Sequence, residues 1–130
     1  MIDDRKITSF TDLMAWQASH KLSLLIYKLT QSFPKTEQFG LVSQLRRAAI
    51  SVTSNIAEGF GRSSQADREH FYTMASGSLY EIKSQLILAR DLKYVGKDEF
   101  ISVADEANTA HKLLNGLLKA HKASKKDSNV

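Results

Sequence analysis

The residues of this chain best equipped for chemistry are a few carboxylates and arginines set in apolar company. Asn55, Glu58 and Arg62 follow Gln44, Arg47 and Ser51 at three- and four-residue steps, so all six lie along one line of a helix. Glu81 shares a helix face with Met74, Gly77, Leu88 and Leu92. A carboxylate in such company is costly to bury unless it is paired, and Arg46, Arg47 and Arg62 are the available partners. Two readings follow. Glu58 and Glu81, with Arg62 beside them, could form an active site in which a carboxylate has a raised pKa. Alternatively, the same groups could form an ion-pair and hydrogen-bond network that fixes the register of packed helices or subunits. No nucleophile, metal or cofactor motif lies nearby, so the structural network is expected.

Other chemistries find little support. A di-metal carboxylate bundle needs a Glu from each of two helices and Glu-x-x-His from the other two. The nearest match is Asp67-x-x-His70, and His20, His111 and His121 have no carboxylate three residues earlier. There is no Gly-x-Ser-x-Gly elbow. Gly59-Phe60-Gly61-Arg62 resembles a phosphate-binding turn, but it follows a helix pattern and lacks the rest of a P-loop or dinucleotide fingerprint. Both glycines instead suit a left-handed helix C-terminus. No catalytic residue, cofactor or metal site is therefore expected. Trp16, Tyr27, Tyr72, Tyr80 and Tyr94 fall near core positions and are expected to be core or interface anchors.

The elements that must hold these groups are helices. Leu41, Leu45, Ala48, Val52 and Ile56 recur at helical spacing, and Val42, Ala49, Ile50, Thr53, Ala57 and Phe60 form a second stripe beside them. Together they cover roughly 200° of the helix, about twice the stripe of an ordinary surface helix. Such a helix belongs at the centre of an assembly, and Ala48, Ala49, Ser51, Ser54 and Ala57 allow close approach by its neighbours.

Four helices are expected, over about 12–32, 37–60, 64–95 and 98–121. Thr11 or Asp12 caps the first, whose stripe is Met14, Ala18, Leu22, Leu25, Ile26, Leu29 and Phe33, and Pro34 stops it. Thr36 is expected to cap the second and Ser63-Ser64 the third, with Gly96 ending the third and Asp98 starting the fourth. The fourth buries Phe100, Val103, Ala104, Ala107, Ala110, Leu114, Leu117 and Leu118. Short connections make neighbours antiparallel, so the fold class is all-α, an up-down-up-down four-helix bundle over 11–120. A polar lead (1–10) precedes it and a basic, flexible tail (121–130) follows.

The totals agree with one soluble domain: 130 residues, 42% hydrophobic and 25% charged. With no cysteine, no signal-like N-terminus and no long apolar run, a cytoplasmic location is expected. The net charge of +4 is localised, because residues 1–110 hold 13 basic and 13 acidic side chains. The excess comes from Lys112, Lys119, Lys122, Lys125 and Lys126 against Asp127, a possible contact for a nucleic-acid backbone or simply a solvated terminus.

The central segment also resembles a known family. Arg46-Arg47-Ala48-Ala49-x-Ser51-Val52-x-x-Asn55-Ile56-Ala57-Glu58-Gly59-x-Gly61-Arg62 is similar to the signature of the bacterial four helix bundle proteins, which include proteins encoded in intervening sequences of 23S rRNA genes. Gly77-Ser78-Leu79-Tyr80-Glu81-Ile82, Gln85-Leu86 and Asp12-Leu13-x-x-Trp16-Gln17 extend the likeness. The resemblance implies a homopentamer around a central channel. It also implies kinship with the accessory variability protein of diversity-generating retroelements, a basic pentamer that binds a reverse transcriptase and nucleic acid. A non-enzymatic homo-oligomer binding RNA or a ribonucleoprotein is the leading expectation. A protein-docking scaffold with no nucleic-acid role is the alternative.

Overall fold

A computed structural model describes the backbone of residues 6–128 and the side chains of residues 6–121. It contains four α-helices: α1 (Met14–Thr30), α2 (Leu41–Gly61), α3 (Gln65–Asp91) and α4 (Lys97–Ser128). Among the described residues there is no strand. Each helix packs against two others, with α2 on α3 the most extensive contact, followed by α1 on α4, α3 on α4 and α1 on α2.

Cross-helix contacts show the direction of each pair. Arg47 meets Glu81 and Ser51 meets Ser78, so α3 runs opposite to α2. Ser23 Oγ donates to the Ala49 carbonyl while Arg46 lies over Tyr27, so α1 runs opposite to α2. Lys21 pairs with Glu106 while Met14 and Ala15 line a cleft with Leu113 and Gly116, and His121 meets the Gln65 carbonyl while His111 meets Ser76, which places α4 antiparallel to both α1 and α3. The fold is the up-down-up-down bundle that the four amphipathic patterns require. Leu22, Ile26, Leu45, Val52, Ile56, Leu79, Ile82, Leu86 and Leu114 form its fully buried centre.

The helix ends differ from expectation in instructive ways. Ser9, and not Thr11 or Asp12, opens the first segment. Its hydroxyl accepts from Thr11 N–H, and Asp12 accepts from Thr8 and Ser9 N–H, closing a 3₁₀ turn (Phe10–Asp12) ahead of α1. Thr36 does not cap α2. It lies in a second 3₁₀ turn, Lys35–Glu37, and α2 starts only after Gly40. The reason is Glu37, whose carboxylate accepts from Leu41 N–H at 3.3 Å and from the Tyr94 hydroxyl at 2.9 Å, tying the start of α2 to the α3–α4 turn. Ser64 caps α3 as expected, accepting from Asp67 N–H at 3.0 Å.

Neither Gly59 nor Gly61 is left-handed, and the described glycines include none with positive φ. α2 ends at the extended Arg62, and Gly59 is helical. Its missing side chain leaves room for the Tyr72 ring, whose Cε1 would lie 2.7 Å from a Cβ at that position. The left-handed residue between α3 and α4 is Lys93, with φ 65°, and Gly96 instead accepts the Phe100 N–H at the start of α4. Met14, expected in the stripe of α1, is 53% exposed, because α1 turns Ala15, Ser19, Leu22, Ile26, Leu29 and Thr30 inward. Ser19 and Thr30 tolerate burial by donating to the Ala15 and Ile26 carbonyls, both at 2.7 Å.

Candidate functional site

The polar seam of α2 is present and faces α3. Arg47 pairs with Glu81, and Ser51 and Ser78 share a hydrogen bond at 2.8 Å. Asn55 Nδ2 donates back to the Ser51 carbonyl (2.9 Å) and hydroxyl (3.0 Å). Arg62 pairs within its own helix with Glu58 at 3.1 Å and stacks its guanidinium 4.7 Å from the Phe71 ring centre. Glu81 therefore has a partner on the neighbouring helix, whereas the Glu58–Arg62 pair is local to the end of α2 and links no second helix. In the single chain they are not deeply buried: the side chains of Glu81 and Glu58 are 42% and 58% exposed. A shallow depression on the outer side of α2 is lined by Ser54, Ala57, Glu58, Gly61 and Arg62 and does not include Glu81. Glu58 and Arg62 thus stay together, whereas Glu81 lies apart from them, paired with Arg47.

Around the seam the surface is apolar where a lone domain would be polar. Met74, Leu88 and Leu92 of α3 are exposed on the face that carries Glu81, and Ile50 of α2, expected in the second apolar stripe, is also exposed. Tyr72 is buried and Tyr94 half-buried, as core anchors should be, whereas Tyr80 and Tyr27 stand out into solvent. Asp67 and His70 sit in the first turns of α3, and no group of three His, Asp or Glu among the described residues could share a metal ion. Lys112 and Lys119 are exposed on α4, and the side chains of Lys122, Lys125 and Lys126 lie outside the described residues.

One cluster was not legible in the sequence. His111 is buried between α3 and α4, where Lys83 Nζ lies 2.6 Å from Nδ1, Ser76 Oγ lies 2.9 Å from Nε2, and the Tyr80 ring packs edge-on at 4.5 Å. Ser–His–Lys order suggests an activated hydroxyl, but the proton positions oppose it. An ammonium only donates, so Nδ1 accepts and Nε2 carries the hydrogen. Ser76 is then an acceptor whose proton the imidazole cannot take. Burial, with the Lys83 charge beside it, holds His111 below the usual histidine range, and burial likewise lowers Lys83. The unfolded chain therefore takes up a proton near pH 6.5 that the folded chain refuses. This contribution to stability is complete above about pH 6.5 and declines as pH falls toward the folded value. Melting curves from pH 8 to 5 should show wild type losing more stability across that window than His111→Gln. Parallel curves would remove His111 as the cause.

The chain is thus an all-helical bundle with a salt-bridged surface seam flanked by exposed apolar side chains. The family match is more specific. The chain belongs to the 23S rRNA-intervening sequence protein family, whose model matches residues 11–116. Among solved structures it is similar to a protein of unknown function from the S23 ribosomal protein family of Bacteroides thetaiotaomicron. The two share 22% identity with a TM-score of 0.75, over 81% of this chain and 95% of the other. That likeness speaks for the fold. No curated protein matches the chain. Among the described residues, no helix is long and apolar enough to cross a membrane.

Proposed function

We propose that this protein is a non-enzymatic, cytoplasmic homo-oligomer that binds RNA or a ribonucleoprotein. The observation that carries the assembly is the α2–α3 face. Arg47–Glu81 and Ser51–Ser78 sit there beside exposed Met74, Leu88 and Leu92, the mixture of aligned polar pairs and apolar area that an interface covers. The depression formed at Ser54, Ala57 and Gly61 would admit a neighbouring helix closely. A five-subunit ring is the number implied by the family resemblance. Repeating the exposed Lys112 and Lys119 around a ring would concentrate a positive field suited to a phosphate backbone.

The test is the particle mass in solution, with and without a structured rRNA fragment, at low and moderate salt. The expected result is a five-chain particle that gains mass with RNA and releases it as salt rises. Leu88→Glu should return the particle to a 14.6 kDa monomer without unfolding it, since Leu88 is solvent-exposed in the single chain. A wild-type monomer at micromolar concentration would refute the ring. A ring indifferent to RNA that captures a protein after nuclease treatment would favour the scaffold alternative.

A further inference from the structure

The α1–α2 hairpin has a character that the neutral total for residues 1–110 conceals. Residues 13–57 hold Lys21, Lys28, Lys35, Arg46 and Arg47 against Glu37 as their single acidic residue, with Lys21 and Arg47 paired to Glu106 of α4 and Glu81 of α3. Glu37 is already engaged by Tyr94 and the Leu41 N–H. This hairpin also carries aromatic rings, of which Trp16 is half-buried against the core and Tyr27 and Phe39 are exposed. Trp16 stacks on His20 at 4.8 Å and 10°. Tyr27 lies eleven residues after Trp16, three turns along the same face and about 16 Å away. The Arg46 guanidinium covers Tyr27 at 4.5 Å. Arg46 is held there by donating to Thr30 Oγ1 (3.0 Å) and to the Tyr27 carbonyl (3.3 Å), and it meets no carboxylate among the described residues. Beside this pair is Phe39, 91% exposed, at the mouth of an open concavity of about 510 Å³ that it shares with Tyr27, Arg46 and Ile50.

A phenylalanine so exposed gains nothing from the fold of its own chain. An arginine held over a tyrosine ring, with no carboxylate partner among the described residues, presents a π surface and a charge together. Base stacking on aromatic or guanidinium planes along a positively charged groove is how single strands are bound. A second copy of the same face is a poorer occupant, because it would bring like charges together. We propose that the α1–α2 face from Trp16 to Phe39 is a binding surface for single-stranded RNA, with Phe39 and the Tyr27–Arg46 pair as stacking platforms. The proposal rests on the RNA-binding reading above and places the contact on a different surface from the α4 lysines.

The experiment measures binding of an unstructured, 5′-labelled 12-nucleotide RNA by anisotropy and follows the emission of Trp16, the only tryptophan. Phe39→Ala removes a side chain the fold does not use, so it should fold normally yet weaken binding about tenfold. Its salt dependence should be unchanged, because no charge is removed. Arg46→Gln should lower both affinity and salt slope, and RNA should quench Trp16 in the wild type. Wild-type binding with neither Phe39→Ala nor Arg46→Gln weakened, and with Trp16 emission unmoved, would overturn the surface while leaving the RNA reading intact. No wild-type binding to this strand or to a structured rRNA fragment would remove both. A change in particle mass on Phe39→Ala would assign the face to another subunit and overturn the proposal.

Discussion

Leu45→Ala is expected to lower stability by about 3 kcal/mol, roughly 10–15 °C in melting temperature for a chain of this size. Leu45 is fully buried at the centre of α2, on the line of Leu41, Ala48, Val52 and Ile56 that meets the core. The loss has two parts, the transfer of the removed carbons and the cavity they leave. Packed helices close such a cavity only partly. The matched control is Ile50→Ala on the same helix. Ile50 belongs to the second apolar stripe but is exposed in the single chain, so its truncation should shift monomer stability by no more than about 0.5 kcal/mol. Thermal melts and particle masses of the two variants, measured together, separate core from interface. An Ile50→Ala variant that destabilises strongly and also changes mass would place Ile50 between subunits. A Leu45→Ala variant that melts like wild type would contradict the arrangement of the core.

Gly59→Ala is the second large effect, and its sign is opposite to what helix propensity predicts. In a helix, alanine is better than glycine by about 1 kcal/mol. Here the added Cβ would lie 2.7 Å from Tyr72 Cε1, 2.9 Å from Tyr72 Cδ1 and 3.1 Å from Phe71 Cβ. Tyr72 is buried and cannot swing aside cheaply, and overpacking of this kind costs about 1–3 kcal/mol. A net loss of up to about 2 kcal/mol is expected once the propensity gain is subtracted. The cause can be isolated with Tyr72→Leu. If the clash is responsible, the double variant loses less than the sum of the singles, a coupling of the size measured for contacting residues. Strict additivity would refer the glycine's role to something other than Tyr72. Gly61→Ala provides the contrast, because nothing lies within 4 Å of a Cβ there.

Much of this architecture was legible because helical periodicity is a local property. The spacing of Leu41, Leu45, Ala48, Val52 and Ile56 is written in the chain, and the line of Arg47, Ser51, Asn55, Glu58 and Arg62 follows from the same geometry. The Ser64 cap is equally local, since donor and acceptor are three residues apart. The family signature lies on this segment for the same reason, its residues sharing one helix. The sequence by itself therefore determined the four helices, their antiparallel order and the membership of the seam.

Tertiary structure decided everything that depends on which helix faces which. Arg47, and not Arg46 or Arg62, reaches Glu81, because the α2–α3 register sets residue 47 across from 81. Met14 is exposed and His111 buried although both occur in amphipathic patterns, since periodicity identifies a face and not what covers it. Glu37 delays the start of α2 through Tyr94, 57 residues away. Gly59, which reads locally as a helix stop, is required by a ring on another helix. The physical reason is common to all four. Local spacing fixes directions around one helix axis, whereas contact partners depend on the rotation and register of two axes, which only the packed core sets.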